Sequence, residues 1–268
     1  MNGGHAASVH SAHGGKAYAM GPRASRPIHV LVTCEHGGNH IPSRYRRWFE
    51  GEAALLASHR GYDPGALAMA RTLAASTGAT LIATTVSRLL VELNRSPHNP
   101  RVFSAIVRRA PPSLRRDLFE AYYQPYHHAV VQDVSGAVAR GARVVHIGSH
   151  SFTPELDGVV RNADIGLLYD PARSREVMLC TRWRESLERR ALGRVRRNYP
   201  YAGAGDGLTT MLRRRFGVDD YVGVELEVNQ RHPVGGGRAW GRMRREVAAA
   251  LCEALCALAP DSRRAIDR

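Results

Sequence analysis

Two histidines, His36 and His150, and two carboxylates, Glu225 and Glu227, are the residues of this chain that type and spacing best equip for chemistry. Neutral imidazole is a common ligand for a catalytic zinc. A third, oxygen ligand would leave one position open for water, whose pKa the metal lowers to about 7 and whose proton a nearby carboxylate then takes. Glu225 and Glu227 stand two apart in an apolar run, so on a strand both side chains point to one face. Burying two unpaired carboxylates there is costly, which favours a cleft beside metal or arginine. Arg88 and Arg95 flank Leu89-Leu90-Val91, with Asn94 beside the second. The planar guanidinium fork suits carboxylates. One arginine would clamp a substrate carboxylate and the other steady a developing oxyanion, an effect commonly worth about 3 to 4 kcal/mol.

These groups recur at the carboxyl ends of expected strands, where open α/β sheets bind ligands. Ile28 to Cys34 reads as a buried strand running into the glycine-bearing loop Glu35-His36-Gly37-Gly38-Asn39-His40. Asp63-Pro64 reads as the N-cap and first residue of a helix to about Ser76. Ala79 to Val86 and Leu89 to Leu93 alternate toward strand and end at Asn94-Arg95; a helical stretch from Pro112 to Arg140 should bend or break near Pro125. Arg143 to Gly148 delivers Ser149-His150-Ser151. Val159 to Tyr169, a helix over Arg173 to Arg190, a strand over Tyr221 to Val228 and an amphipathic helix over Ala239 to Leu258 complete the alternation. Strands alternating with helices argue for an α/β sheet covered on both faces.

The 268 residues, 44% hydrophobic, can bury one large core. We expect residues 1–26 to form a disordered leader, 27–259 a single catalytic domain, and 260–268 a frayed tail. No apolar run approaches the ~20 residues of a membrane span and the first 25 residues lack the apolar segment of a secretory signal, so the expected location is the cytoplasm, with no membrane partner. Cys34, Cys180, Cys252 and Cys256 show no C-x-x-C pair, which points to reduced thiols rather than a cysteine zinc site. The net charge of +14 rests almost wholly on arginine, Lys16 being the one lysine. Without regularly interleaved aromatics this reads as a solvated basic face; a non-catalytic domain binding RNA or another polyanion is the rival from outside the enzyme class.

Six motifs then fall in order: Cys34-Glu35-His36-Gly37-Gly38-Asn39-His40-Ile41-Pro42, Tyr62-Asp63-Pro64-Gly65-Ala66, Ser87-Arg88-Leu89-Leu90-Val91-Glu92-Leu93-Asn94-Arg95, Ser149-His150-Ser151, Arg161-Asn162-Ala163-Asp164-Ile165-Gly166 and Val224-Glu225-Leu226-Glu227. In order and spacing this series resembles the N-formylglutamate amidohydrolase family, over about residues 28 to 256. That family is similar to zinc carboxypeptidases and aspartoacylase, and the resemblance implies a three-layer α/β/α domain around a mixed, mostly parallel sheet. It implies one divalent metal, zinc, held by His36 and His150, a carboxylate clamp of Asn94 and Arg95, and Glu227 as general base. Asn39 stands where the wider group has a glutamate ligand, so the acidic ligand must come from elsewhere; Asp63 is the candidate, because the family pattern carries an acid there. The implied activity is removal of a formyl or other small acyl group from the nitrogen of an acidic amino acid, with Arg88 sharing the oxyanion. A carboxypeptidase-like or aspartoacylase-like hydrolase is the alternative within the class, and Glu225, where members acting on N-formylglutamate often carry Gln, bears on the substrate. The resemblance also places the loop containing Asn198, Gly203, Asp206, Gly207 and Thr209 near the site.

Several of these residues have plainer readings. Capping before Pro64 accounts for Asp63 without a metal, and Arg88 could simply pair with Glu92. Glu35 and Glu225 could orient the ligands. For His40, His127 and His128 surface or packing roles are expected.

Overall fold

The computed structural model describes residues 26–258, so the expected leader, apart from Arg26, and the expected tail lie outside the described residues. In chain order the elements are β1 (Ile28–Cys34), a 3-10 segment (Ser43–Phe49), α1 (Ala53–Ala57), α2 (Ala66–Thr77), β2 (Thr80–Ala83), α3 (Ala105–Arg109), α4 (Pro112–Leu118), a π-helical turn (Phe119–Tyr123) and α5 (Gln124–Ala139). There follow β3 (Arg143–Phe152), the short strands β4 (Glu155–Leu156) and β5 (Val159–Val160), β6 (Ile165–Leu168), α6 (Ser174–Arg189), β7 (Val195–Arg197), α7 (Leu208–Arg215), β8 (Tyr221–Asn229), α8 (Arg231–Gly235) and α9 (Gly237–Cys256). Six strands form one sheet in the order β2-β1-β3-β8-β6-β7. All neighbours pair in parallel except β6 and β8, which are antiparallel. Helices cover both faces, giving the expected three-layer α/β/α arrangement.

Strand alternation decides what each face holds. Val32, Cys34, Val145, Ile147, Val222 and Val224 pack with residues of α2, α6 and α9 in one core cluster. Leu31, Val144 and Tyr221 join residues of α5 and α7 in another. On that second face the same period sets Thr33 and Glu35 at the end of β1, His146, Gly148 and His150 along β3, and Glu225 and Glu227 on β8. The central strands thus carry a polar row that begins inside the core and ends at the carboxyl edge of the sheet.

Four local expectations need correction. Asp63 does not cap α2: the helix starts at Ala66, and its N-cap is Gly65 in the left-handed conformation, φ 81°. A Cβ on Gly65 would meet Pro233 at 2.4 Å, and this glycine turn frees the Asp63 carboxylate to point elsewhere. The strand expected over Ala79 to Val86 is confined to β2, with a lone bridge from Val86 to His40, and Leu89 to Leu93 form turns and irregular backbone rather than a strand. The long helical stretch is irregular near Pro125, as expected: a π turn just ahead of it joins α4 to α5. The stretch Val159 to Tyr169 is split between β5 and β6.

Candidate active site

His36 follows β1, His150 lies near the end of β3, and Asp63 sits in the loop before α2, tied to the first by its own N–H donating to the His36 carbonyl at 2.9 Å. Their side chains converge. Asp63 Oδ2 lies 3.2 Å from His36 Nδ1 and 3.2 Å from His150 Nδ1, and the three residues could together hold a metal ion. Each imidazole turns its other nitrogen to a buried carboxylate: His36 Nε2 is 2.5 Å from Glu92 Oε1, and His150 Nε2 is 3.2 Å from Glu35 Oε2. Carboxylates behind ligating histidines fix the ring and raise its basicity.

Charge crowding shows in the protonation equilibria. Burial opposes ionisation of Glu35 most strongly, yet the His150 hydrogen bond and charge hold its pKa down at about 2. Burial likewise works against Asp63 and Glu92, but His36, His150 and Arg88 around the first, and Arg88 and His36 beside the second, leave both well below the usual carboxylate range. His36 and His150 move upward despite burial, because Glu92 and Asp63 face the first and Asp63 and Glu35 the second. Glu227 is different. Burial pushes its carboxyl up to about 8, with Asp63 and Glu225 adding to the rise against the lowering effect of His150. Its Oε2 is buried without a hydrogen-bond partner among the described residues.

A cavity of about 430 Å³ opens over this centre, lined among others by His36, Asp63, His150, Glu225 and Glu227. Arg88, Asn94 and Arg95 line it too, so all seven sequence-selected residues and Glu225 meet in one place. Arg88 is not free there: Nε and Nη2 both donate to Glu92 Oε2, at 2.8 and 2.5 Å, and Nη1 to Asp63 Oδ1 at 3.3 Å. The plainer reading of Arg88 is therefore part of the structure. Asn94 accepts the Leu208 N–H on Oδ1 at 2.7 Å and sets Nδ2 3.5 Å from Glu225 Oε1. Among the described residues Arg95 commits only Nη1, to the carbonyls of Asn94 and Asp206.

The loop 198–207 lies against the sheet end. Asp206 accepts from the Ser96 N–H and from Asn99 Nδ2, and Thr209 Oγ1 donates to Glu225 Oε1. Gly166 and Gly203 allow that approach: a Cβ on Gly166 would sit 2.0 Å from the Tyr199 carbonyl oxygen, and one on Gly203 2.0 Å from the Tyr169 nitrogen. The buried pair Arg213 and Glu176 anchors the loop from below, Arg213 Nη1 donating to the Gly203 carbonyl at 2.6 Å. His127 stays outside the site, its Nε2 on the Leu93 carbonyl.

Sequence reasoning missed Glu92 as a partner of His36, and it missed Arg101 and Tyr201, which also line the cavity. The Arg88 to Glu92 spacing of four was visible but reads equally as a surface pair. Arg101 and Tyr201 carried no motif signal.

Fold and site together define an α/β/α domain with a buried His-Asp-His cluster beneath its cleft, and the match to a family model makes it a hydrolase acting on a non-peptide amide bond. The chain belongs to the N-formylglutamate amidohydrolase family, whose model matches residues 28–232. Among solved structures, the gene product Atu2144 from Agrobacterium tumefaciens is 30% identical, with a TM-score of 0.74 over 85% of this chain and 91% of its own. The N-formylglutamate amidohydrolase from Ralstonia eutropha JMP134 shares the fold at 18% identity, with a TM-score of 0.62 over 86% of this chain and 93% of its own. No protein with a curated description matches the chain.

Proposed function

We propose that the protein hydrolyses the amide of an N-acylated acidic amino acid, releasing formate or another small acid, around a divalent cation held by His36, Asp63 and His150. The observation that carries this is the shared target of the two Nδ1 atoms, Asp63 Oδ2 at 3.2 Å from each, with a buried carboxylate behind each ring. Charge is consistent with it. Arg88 and the two histidines, whose pKa values are raised, supply the positive charge that faces Asp63, Glu35 and Glu92; a dication held by the neutral imidazoles would take the place of their two protons. The nitrogen and oxygen donors suit zinc. Such a cation contributes Lewis acidity, polarising an acyl oxygen and bringing the pKa of water at the site toward neutrality.

The remaining work falls to this chain's side chains. Glu227, with an unengaged oxygen in the cavity, takes a proton from the attacking water and delivers it to the departing nitrogen; a dication beside it favours its ionised form. Asn94 and Arg95 take a substrate carboxylate, for which Arg95 keeps most of its guanidinium uncommitted. Arg101, whose side chain has no partner among the described residues, offers a place for the second carboxylate of an acidic substrate. Arg88, neutralised by Glu92 and Asp63, keeps that pair in place and presents its Nη1 edge to the oxyanion.

The test is direct. Zinc-loaded protein should bind about one metal per chain and hydrolyse N-acyl glutamates, with kcat/KM at least tenfold lower for the bis-amide of the same substrate. No hydrolysis of any N-acyl amino acid by the loaded protein would refute the reading.

A further inference from the structure

The cavity over the candidate cation centre adjoins a second one, of about 310 Å³, and Asp63, Arg88, Ser151 and Tyr201 line both. These four residues make a ridge. Arg88 Nη1 reaches Asp63 Oδ1, and Asp63 Oδ2 accepts the Ser151 N–H at 3.4 Å. Tyr201 is braced by the buried Arg161, whose Nη1 donates to the tyrosine oxygen at 3.0 Å and whose guanidinium carbon lies 5.1 Å from the ring centroid. A substrate whose scissile carbon sits at the histidine cluster therefore has space on both sides of the ridge.

The two sides differ in chemistry. On the first, Asn94, Arg95 and Arg101 suit the carboxylates of an amino acid. The second is walled by Leu89, Phe152 and Leu156, with Thr153 and Gln230 between them and the exposed His59 and Arg60 also lining it. No acidic group among the described residues pairs with the Arg60 side chain. A formyl group is one carbon and one oxygen and needs none of this space. At about 30 Å³ for each water of liquid volume, the second cavity holds on the order of ten heavy atoms, more than a short acyl chain requires.

We infer that the second cavity receives the acyl half of the substrate, and that the group removed is longer than formyl: an unbranched chain of about four carbons ending in a carboxylate. Its methylenes lie against Leu89 and Leu156, where burial of each CH₂ is favourable, and its carboxylate meets Arg60, a guanidinium matched to it in charge and shape. The inference rests on the hydrolytic reading above and leaves its chemistry unchanged. Water oxygen bonds to the acyl carbon, the carbon–nitrogen bond breaks, and the water hydrogens are divided between the released acid and amine, with no oxidation or reduction.

The experiment compares kcat/KM of the zinc-loaded protein for N-formyl-, N-butyryl- and N-succinyl-L-glutamate. The expected order is succinyl above butyryl above formyl, with succinyl at least tenfold above formyl. Arg60→Gln should lower the succinyl-to-butyryl ratio at least tenfold, and Leu156→Trp, which fills the cavity, should lower both the succinyl-to-formyl and butyryl-to-formyl ratios at least tenfold. Arg60 is exposed, so its variant tests the inference even if Leu156→Trp folds poorly. A wild type that prefers formyl tenfold over both longer acyl groups overturns the inference and leaves the hydrolytic reading standing. Equal rates with succinyl and butyryl, unaltered by Arg60→Gln, overturn it too. Hydrolysis of none of the three overturns both.

Discussion

His146 lies on the same face of β3 as His150 but belongs to the core rather than the cleft, and its protonation should dominate one part of the acid response. Its Nδ1 is 2.6 Å from the Tyr221 hydroxyl and its Nε2 2.8 Å from Thr33 Oγ1. The Thr33 hydroxyl in turn supports Glu35, so the chain of donors runs from Tyr221 through a neutral imidazole to Thr33 and ends on the carboxylate behind His150. Burial, with Arg213 and His150 adding to it against the pull of Glu35, lowers the His146 pKa from 6.5 to about 4. Between those two values the unfolded chain binds a proton at this residue that the folded protein refuses. Its stabilising contribution is therefore complete above the unfolded pKa and is lost as pH falls through the window, by about 3 kcal/mol in all and about 2 kcal/mol between pH 7 and pH 5. His36 and His150, whose pKa values are raised, act in the opposite sense in the cation-free protein, so the total curve does not isolate His146. The difference between wild type and His146→Gln does. Urea unfolding of both at pH 7 and pH 5 should show the wild-type advantage shrinking by about 2 kcal/mol at the lower pH. A gap that stays constant within about 0.5 kcal/mol, ordinary for a residue with no linked proton, would refute the buried neutral imidazole.

Asp63→Asn should lower thermal stability, since it removes the negative charge that His36, His150 and Arg88 face in a buried site, and cost most of the zinc affinity in a chelator competition; Glu35→Gln and Glu92→Gln should weaken zinc by about 10- to 100-fold, and retention of wild-type affinity in all three would move the site. Glu227→Gln should keep zinc and KM and lose most of kcat, because an amide cannot accept the water proton, while Glu225→Gln, already engaged by Thr209 and Asn94, should lose far less. Equal, small losses would take the base role away from Glu227.

What the sequence made legible is what strand periodicity controls. Apolar runs at Ile28 to Cys34, Arg143 to Gly148 and Tyr221 to Val228 announce buried strands, and a polar residue at the carboxyl end of such a run surfaces at the sheet edge; His36, His150 and Glu227 stand out on that ground, and the family resemblance gave them their roles. The spacing of Glu225 and Glu227 foretold a shared face, and both line the cavity. Where the backbone departs from periodic structure the signal ends. Asp63 followed by Pro64 is a regular helix-start pattern, and only the left-handed turn at Gly65, forced by Pro233 and Trp240 packing against it, carries the carboxylate away from the helix and into the histidines. Glu92 lies in irregular backbone where no period predicts direction, so its contact with His36 depends on Arg88 holding it from the other side. Arg101 and Tyr201 reach the cavity through tertiary contacts between residues far apart in sequence, Asn99 to Asp206 near the first and the buried Arg161, forty residues upstream, at the second. Loops of that kind take their shape from what they rest on, here Gly166, Gly203 and the Arg213–Glu176 pair. Asp63 joins the site through a tertiary turn, but His36, His150 and Glu227 sit on the part of the chain whose geometry is written locally. The residues that would choose the substrate sit on the part whose geometry is not, which is why the sequence pointed to a reaction more readily than to the acyl group it acts on.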